Sequence, residues 1–171
     1  STAQIAALST ATISRLTTAD WAAFSTDQIV ALTTAQVAVI PPQNLALLTT
    51  DQIAAMETAD LRAITTAGIV SLTSAQLNAL GDSQVAALTT TQVAKLTTGQ
   101  IAALSTDSFN ALTTAQVGAL GTAQVAALTT SQVAAMETAD VAAMQVTSLR
   151  RWRARRCRPP RRSEEHTSEL Q

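Results

Sequence analysis

In 171 residues the chain has one cysteine, one histidine, no tyrosine, two tryptophans and two phenylalanines. The lone Cys157 excludes a disulfide framework and any cysteine-based metal set. His166 lies among the last ten residues, so nothing before it offers an imidazole as base or ligand. Five glycines in all form neither a GxGxxG nor a phosphate-binding loop. No run approaches eighteen consecutive apolar residues, which predicts no membrane span. Ser1 stands inside a repeat with no basic n-region or apolar h-region, and any targeting signal is expected to lie outside this stretch.

Positive charge is also scarce where it would matter. Residues 1–144 hold nine acidic side chains and only three basic ones, Arg15, Arg62 and Lys95, for a net charge of −6. Nucleic-acid binding wants a basic stripe, so no nucleic-acid partner is expected. The nine carboxylates are spread along the tract, whereas calcium needs six to eight clustered oxygens. Serines and threonines are abundant but have no base beside them. The sequence therefore assigns no catalytic, cofactor-binding or metal-binding residue, and predicts that the chain is not an enzyme.

What is present is a period. Cut into blocks of eight from Ser1, the chain aligns with itself without insertion or deletion through Met144, giving eighteen octads. STAQIAAL, TTAQVAVI and TTTQVAKL are examples. The fifth position runs Ile5, Ile13, Trp21, Ile29 and on to Val141, and the eighth runs Leu8, Leu16, Phe24, Leu32 and on to Met144. All are large and apolar. A strict short period is the mark of an array whose units are stable only when stacked.

Positions 5 and 8 would point to opposite faces of a strand but share one face of a helix. The helix cannot be continuous, because eight residues at about 100° each leave the apolar stripe rotated by about 80° per octad. The phase must be reset. Position 1 is Ser or Thr in thirteen octads, and position 4 is Gln in eleven and Asp in three (Asp20, Asp60, Asp140). This S/T-x-x-Q pattern is a capping box, flanked by an apolar staple between position 8 of one octad and position 5 of the next. The spacing predicts an all-α solenoid over residues 1–144, one very short capped helix per octad, starting near position 1 or 2. Isolated helices so short are unstable, so the columns must stack laterally. Positions 5 and 8 are expected to be the least exposed, position 7 alanines next, and positions 2 and 3 the most.

Position 1 departs from Ser or Thr only at Pro41, Glu57, Gly81, Gly121 and Glu137, each compatible with a helix start. Pro41, Gly81 and Gly121 stand forty residues apart, and Asp20, Asp60 and Asp140 fall on the same forty-residue grid, as do Met56 and Met136. Duplication of a five-octad block accounts for this grid. The structural alternative is five octads per superhelical turn.

Residues 145–171 break the register and carry eight arginines and three glutamates. Residues 162–171, RSEEHTSELQ, resemble the translation of a common sequencing adapter, AGATCGGAAGAGCACACGTCTGAACTCCAG. The arginine-rich stretch before it reads as a frameshift of Ala- and Thr-coding DNA. This basic segment is expected to be disordered and irrelevant to the fold, so that deleting residues 150–171 leaves the unfolding midpoint of the repeat unchanged or slightly higher.

Over residues 1–144 the LTTxQVAAL array resembles octad tracts in very long bacterial exported or surface proteins, loosely described as adhesin-like or haem-utilisation repeat proteins. No haem ligand or catalytic module of such proteins is present. The resemblance implies an extracellular or cell-surface location and a spacer or stalk, with protein or cell-surface ligands bound by other parts of a parent protein. Two alternatives stand beside it. One is a protein-binding scaffold, whose irregular residues Arg15, Arg62, Asn78, Lys95 and Asn110 would gather on one patch. The other is a threonine-rich β-solenoid facing an ordered surface such as ice.

Overall fold

The computed structural model describes residues 1–144. Among these residues it contains eighteen α-helices, from α1 (Thr2–Ala6) to α18 (Thr138–Ala143), and no strand. The helices are numbered in chain order, so that each carries the number of its octad. Every one starts at position 2 and runs for four to six residues. The helical reading of the period holds throughout, and the β-solenoid reading falls with it.

The local cause is visible in α12 (Thr90–Lys95). Its cap, Thr89, is extended (φ −74°, ψ 152°) and its hydroxyl accepts from the Gln92 amide at 3.1 Å. Gln92 Oε1 in turn accepts from the Thr89 amide at 2.7 Å. Both halves of the box are made, and two of the helix's orphan donors are satisfied. The helix ends at Leu96, which is extended (φ −52°, ψ 142°) and leads straight into the cap Thr97 of the next helix. Two extended residues, at positions 8 and 1, therefore make the whole connection.

Helices three octads apart pack together along the entire tract, from α1 on α4 (Thr26–Val30) to α15 (Thr114–Gly118) on α18. Polar bonds, described below, join octads four apart. One superhelical turn thus takes between three and four octads. This corrects the five-octad turn read from the forty-residue grid: the grid belongs to the sequence and has no counterpart in the stacking. It also excludes a two-octad hairpin coil.

The core is a continuous column of positions 5 and 8, including Trp21, Ile53, Leu61, Val93 and Phe109. Trp21 and Phe24 meet at 5.1 Å with a 53° tilt. One expectation about burial fails. Position 7 is not the next most buried; position 4 is, and it is buried in every octad from the fifth to the eighteenth. Gln36, Gln92 and Gln132 are 2%, 2% and 1% exposed. The alanines at position 7 stay exposed or half-buried because positions 4, 5 and 8 face the neighbouring turns and position 7 faces outward.

Candidate functional site

A buried primary amide demands partners for all of its polar atoms. The capping box uses only the amide's oxygen. Its nitrogen points across to the preceding turn: Gln92 Nε2 donates to the carbonyls of Leu61 and Ile64 at 2.8 Å each. The same two bonds, to positions 5 and 8 of the octad four before, recur at Gln36 (2.9 and 2.7 Å), Gln76 (3.0 and 2.7 Å), Gln116 (3.0 and 2.6 Å), Gln124 (3.0 and 2.7 Å) and Gln132 (2.8 and 2.9 Å). Each glutamine caps its own helix with oxygen and ties it to the previous turn with nitrogen. The result is a ladder of side-chain amides running up the solenoid.

Where the ladder departs from glutamine, other residues compensate. Pro41 has no N–H, so octad 6 needs no oxygen reaching back, and the shorter Asn44 suffices to donate to Leu16 at 3.1 Å. Gly81 and Gly121 lack a hydroxyl, yet their amides still donate to Gln84 and Gln124 at 2.8 Å. In octad 14 the ladder residue is Ser108, too short to span the turns. There Asn78, from octad 10, replaces the cap acceptor and joins the turns from the other side: its Oδ1 accepts from the Ser105 amide at 2.8 Å, and its Nδ2 donates to Ala103 of octad 13 at 2.9 Å. In octad 9 the position belongs to Gly68, where an added Cβ would sit 2.7 Å from both Ile64 Cγ2 and Leu45 Cδ1. Those two side chains fill the space a glutamine would take, and Ser71 donates to Pro42 at 2.7 Å instead.

Two positions are not compensated in this way. Asp60 and Asp140 occupy the ladder position, 4% and 8% exposed, and a carboxylate cannot donate to carbonyls. Burial pushes the Asp60 carboxyl above its usual range; a hydrogen bond from Thr34 opposes this and the charge of Glu57 adds to it. Asp20, in an octad with no turn before it, behaves oppositely. The Thr17 hydroxyl and amide, donating at 2.7 and 2.8 Å, hold its carboxyl below the usual range.

Nothing in this geometry gathers reactive groups. Among the described residues no three His, Cys, Asp or Glu side chains come together, and no helix is long and apolar enough to cross a membrane. Trp21 Nε1 is a buried side-chain donor without an acceptor. Of the irregular residues that a protein-binding scaffold would gather on one patch, Arg15 lies in the first turn and the others fall into two columns. Asn78 is part of the ladder. Arg62 and Lys95 belong to octads 8 and 12, and Asn110 to octad 14 beside Asn78's octad 10; octads two apart do not stack, so these form separate columns. The expectations for residues 145–171 lie outside the described residues.

The ends differ from the middle. In octads 1–3 the ladder residues Gln4, Thr12 and Asp20 are exposed, and Leu8, Leu16 and Phe24 are only partly buried. A recess of about 360 Å³ lined by Ala11, Thr12, Arg15 and Leu16 opens there. At the other end Val133 is half-buried and Val141 is 42% exposed.

Fold and ladder together define an α-solenoid of eight-residue units whose polar interior is structural. The chain belongs to the ALTTAQ repeat family, whose model matches residues 1–34, 53–90 and 93–130. No curated protein and no solved structure matches it.

Proposed function

We propose that residues 1–144 are a structural spacer: a stalk segment of a longer bacterial exported or surface protein, holding other domains at a distance and carrying no catalysis of its own. The observation that supports this reading is how the polar groups are used. The position 4 glutamines from Gln36 onward and Asn78 are committed to capping and to joining turns, and the outward positions 2 and 3 are chiefly Thr, Ala, Ser and Asp. A repeat array in which each unit contacts only nearby turns can lengthen without changing its cross-section. A protein-binding scaffold is the competing reading, but the irregular residues that would build its patch are dispersed.

Small-angle X-ray scattering of residues 1–144 fused in register to a second copy of the same tract tests the spacer reading. The long dimension should double at constant cross-section. A compact particle, folding back on itself, would contradict it.

A further inference from the structure

We propose that the solenoid carries a yielding joint between Ile40 and Pro41, at which octads 1–5 part as one unit from octads 6–18, which stay stacked. In a one-dimensional array, stability is approximately a sum of unit and neighbour-interface terms, so the interface with the fewest bonds sets where the array divides. Opening the stack between two successive octads breaks the rungs that cross it, those of the four octads that follow. Between octads 9 and 10 these rungs are Gln76, Gln84, Gln92 and Gln100, and each donates to at least two carbonyls of the turn before. Between octads 13 and 14 Ser108 supplies no rung, but Gln116, Gln124 and Gln132 donate to at least two carbonyls each and Asn78 holds the Ser105 amide.

The rungs between octads 5 and 6 are poorer. Asn44 donates only to Leu16, at 3.1 Å, and Gln52 only to Phe24, at 2.6 Å. Asp60 has no donor and accepts from the Thr34 hydroxyl instead. Gly68 has no side chain, and the bond that replaces its rung, Ser71 to Pro42 at 2.7 Å, joins octads 9 and 6, which lie on the same side of the joint. Moving the opening by one octad breaks more in either direction. Toward the start it exchanges the Thr34 bond for the three from Gln36 to Ile5, Ala6 and Leu8. Toward the end it exchanges the Asn44 bond for that of Ser71 and the two from Gln76 to Leu45 and Leu48. Position 5 is buried on both sides of the joint, at Val37 and Leu45 as at Val93, so the rungs and not the apolar column single this junction out. The chain crosses it as Pro41–Pro42, with Pro41 extended (φ −61°, ψ 140°). Proline fixes φ whether or not the turns touch, so the connection keeps its direction when the joint opens. The joint itself stands on these hydrogen bonds; its use, letting a loaded stalk lengthen at one place before the stack unravels, rests on the spacer reading.

Backbone hydrogen exchange of the full 171-residue chain in sub-denaturing urea reads the joint directly. Helix amides of residues 1–40 should exchange through one shared opening with a common urea slope, about tenfold faster than those of residues 73–104, with the step at Pro41. Asp60→Gln puts a donor back across the joint and should slow residues 1–40 by one common factor of about fivefold. Asp140→Gln makes the same change where octad 18 meets octad 14, wholly beyond the joint, and should leave residues 1–40 as they were. Rates that fall octad by octad from the first helix, with no step at Pro41, would reveal simple end fraying and overturn the proposal. So would a single opening shared by all the described residues, an Asp60→Gln chain whose residues 1–40 exchange at the wild-type rate, or an Asp140→Gln chain that slows them as much as Asp60→Gln does.

Discussion

Octads 1–4 and octads 5–18 carry the same motif, yet they bury different parts of it. Position 5 is buried in both regions, at Ile5, Ile13, Trp21 and Ile29 as at Val93 and Ile101. Position 4 is exposed at Gln4, Thr12 and Asp20 but buried in each octad from Gln36 onward. The difference lies in the turn before. An octad finds acceptors for its ladder nitrogen only when four others precede it, so the environment of a residue is set by its place in the stack as well as by its place in the motif. Cap and ladder are therefore separable functions of one side chain.

Substitutions across the two regions sharpen that separation. Gln92→Ala should cost about 2–3 kcal/mol, because it removes the acceptor for the Thr89 amide and leaves the Leu61 and Ile64 carbonyls buried without their donor. Gln28→Ala removes the cap acceptor alone and should cost about 1 kcal/mol or less. Urea denaturation of both variants checks the contrast, and equal losses would break it. In the apolar column the same logic applies. Val93→Ala should cost about 1–3 kcal/mol through lost buried methyls, and Val141→Ala distinctly less, since Val141 is 42% exposed. Thr90→Ala, on the outer face of the same octad as Val93, should stay within about 0.5 kcal/mol.

Asp60 provides a pH-dependent case. Its carboxyl is raised by burial, so its contribution to stability is fully present below the unfolded carboxylate range and is lost as pH climbs through the higher folded value. Asp60→Gln should restore both the cap acceptor and the donor to Ile29 and Leu32, stabilising the fold by about 1 kcal/mol at neutral pH. Thermal melts of wild type and variant from acid to neutral pH should diverge as pH rises; parallel curves would count against the ladder at octad 8. The smallest effect is a coupling. Asn78→Ala should destabilise less in a Ser108→Gln background than alone, because the introduced glutamine would take over the Ser105 amide. A double-mutant cycle measures it.

Much of this fold is legible in the sequence, and for a physical reason. The positions 1 and 4 pairing fixes each helix start locally, and the odd spacing of positions 5 and 8 excludes a strand, so eighteen helices beginning at position 2 follow from patterns within one octad. The stacking is not local. Gln92 reads as a cap in its own octad, and nothing near it in sequence reveals that its nitrogen bonds residues about thirty positions earlier. For the same reason the forty-residue grid suggests a turn length that the packing does not adopt. A signal was nevertheless available. Asp would serve the capping box as well as Gln, so the preference for Gln at eleven of eighteen octads points to a use for the second polar atom. Asn78 shows the converse, since an irregular residue expected on a binding patch instead replaces a missing rung.

The most direct test of the ladder is hydrogen exchange of the glutamine side-chain amides, followed by NMR at concentrations where the chain is monomeric. The Nε2 protons of Gln36, Gln52, Gln76, Gln84, Gln92, Gln100, Gln116, Gln124 and Gln132 should be protected at least tenfold relative to those of Gln4 and Gln28, although all eleven occupy the same position in the octad. Uniformly fast exchange across the eleven, in a chain whose backbone amides remain protected, would show that the turns are held by apolar packing alone and that the ladder does not join them.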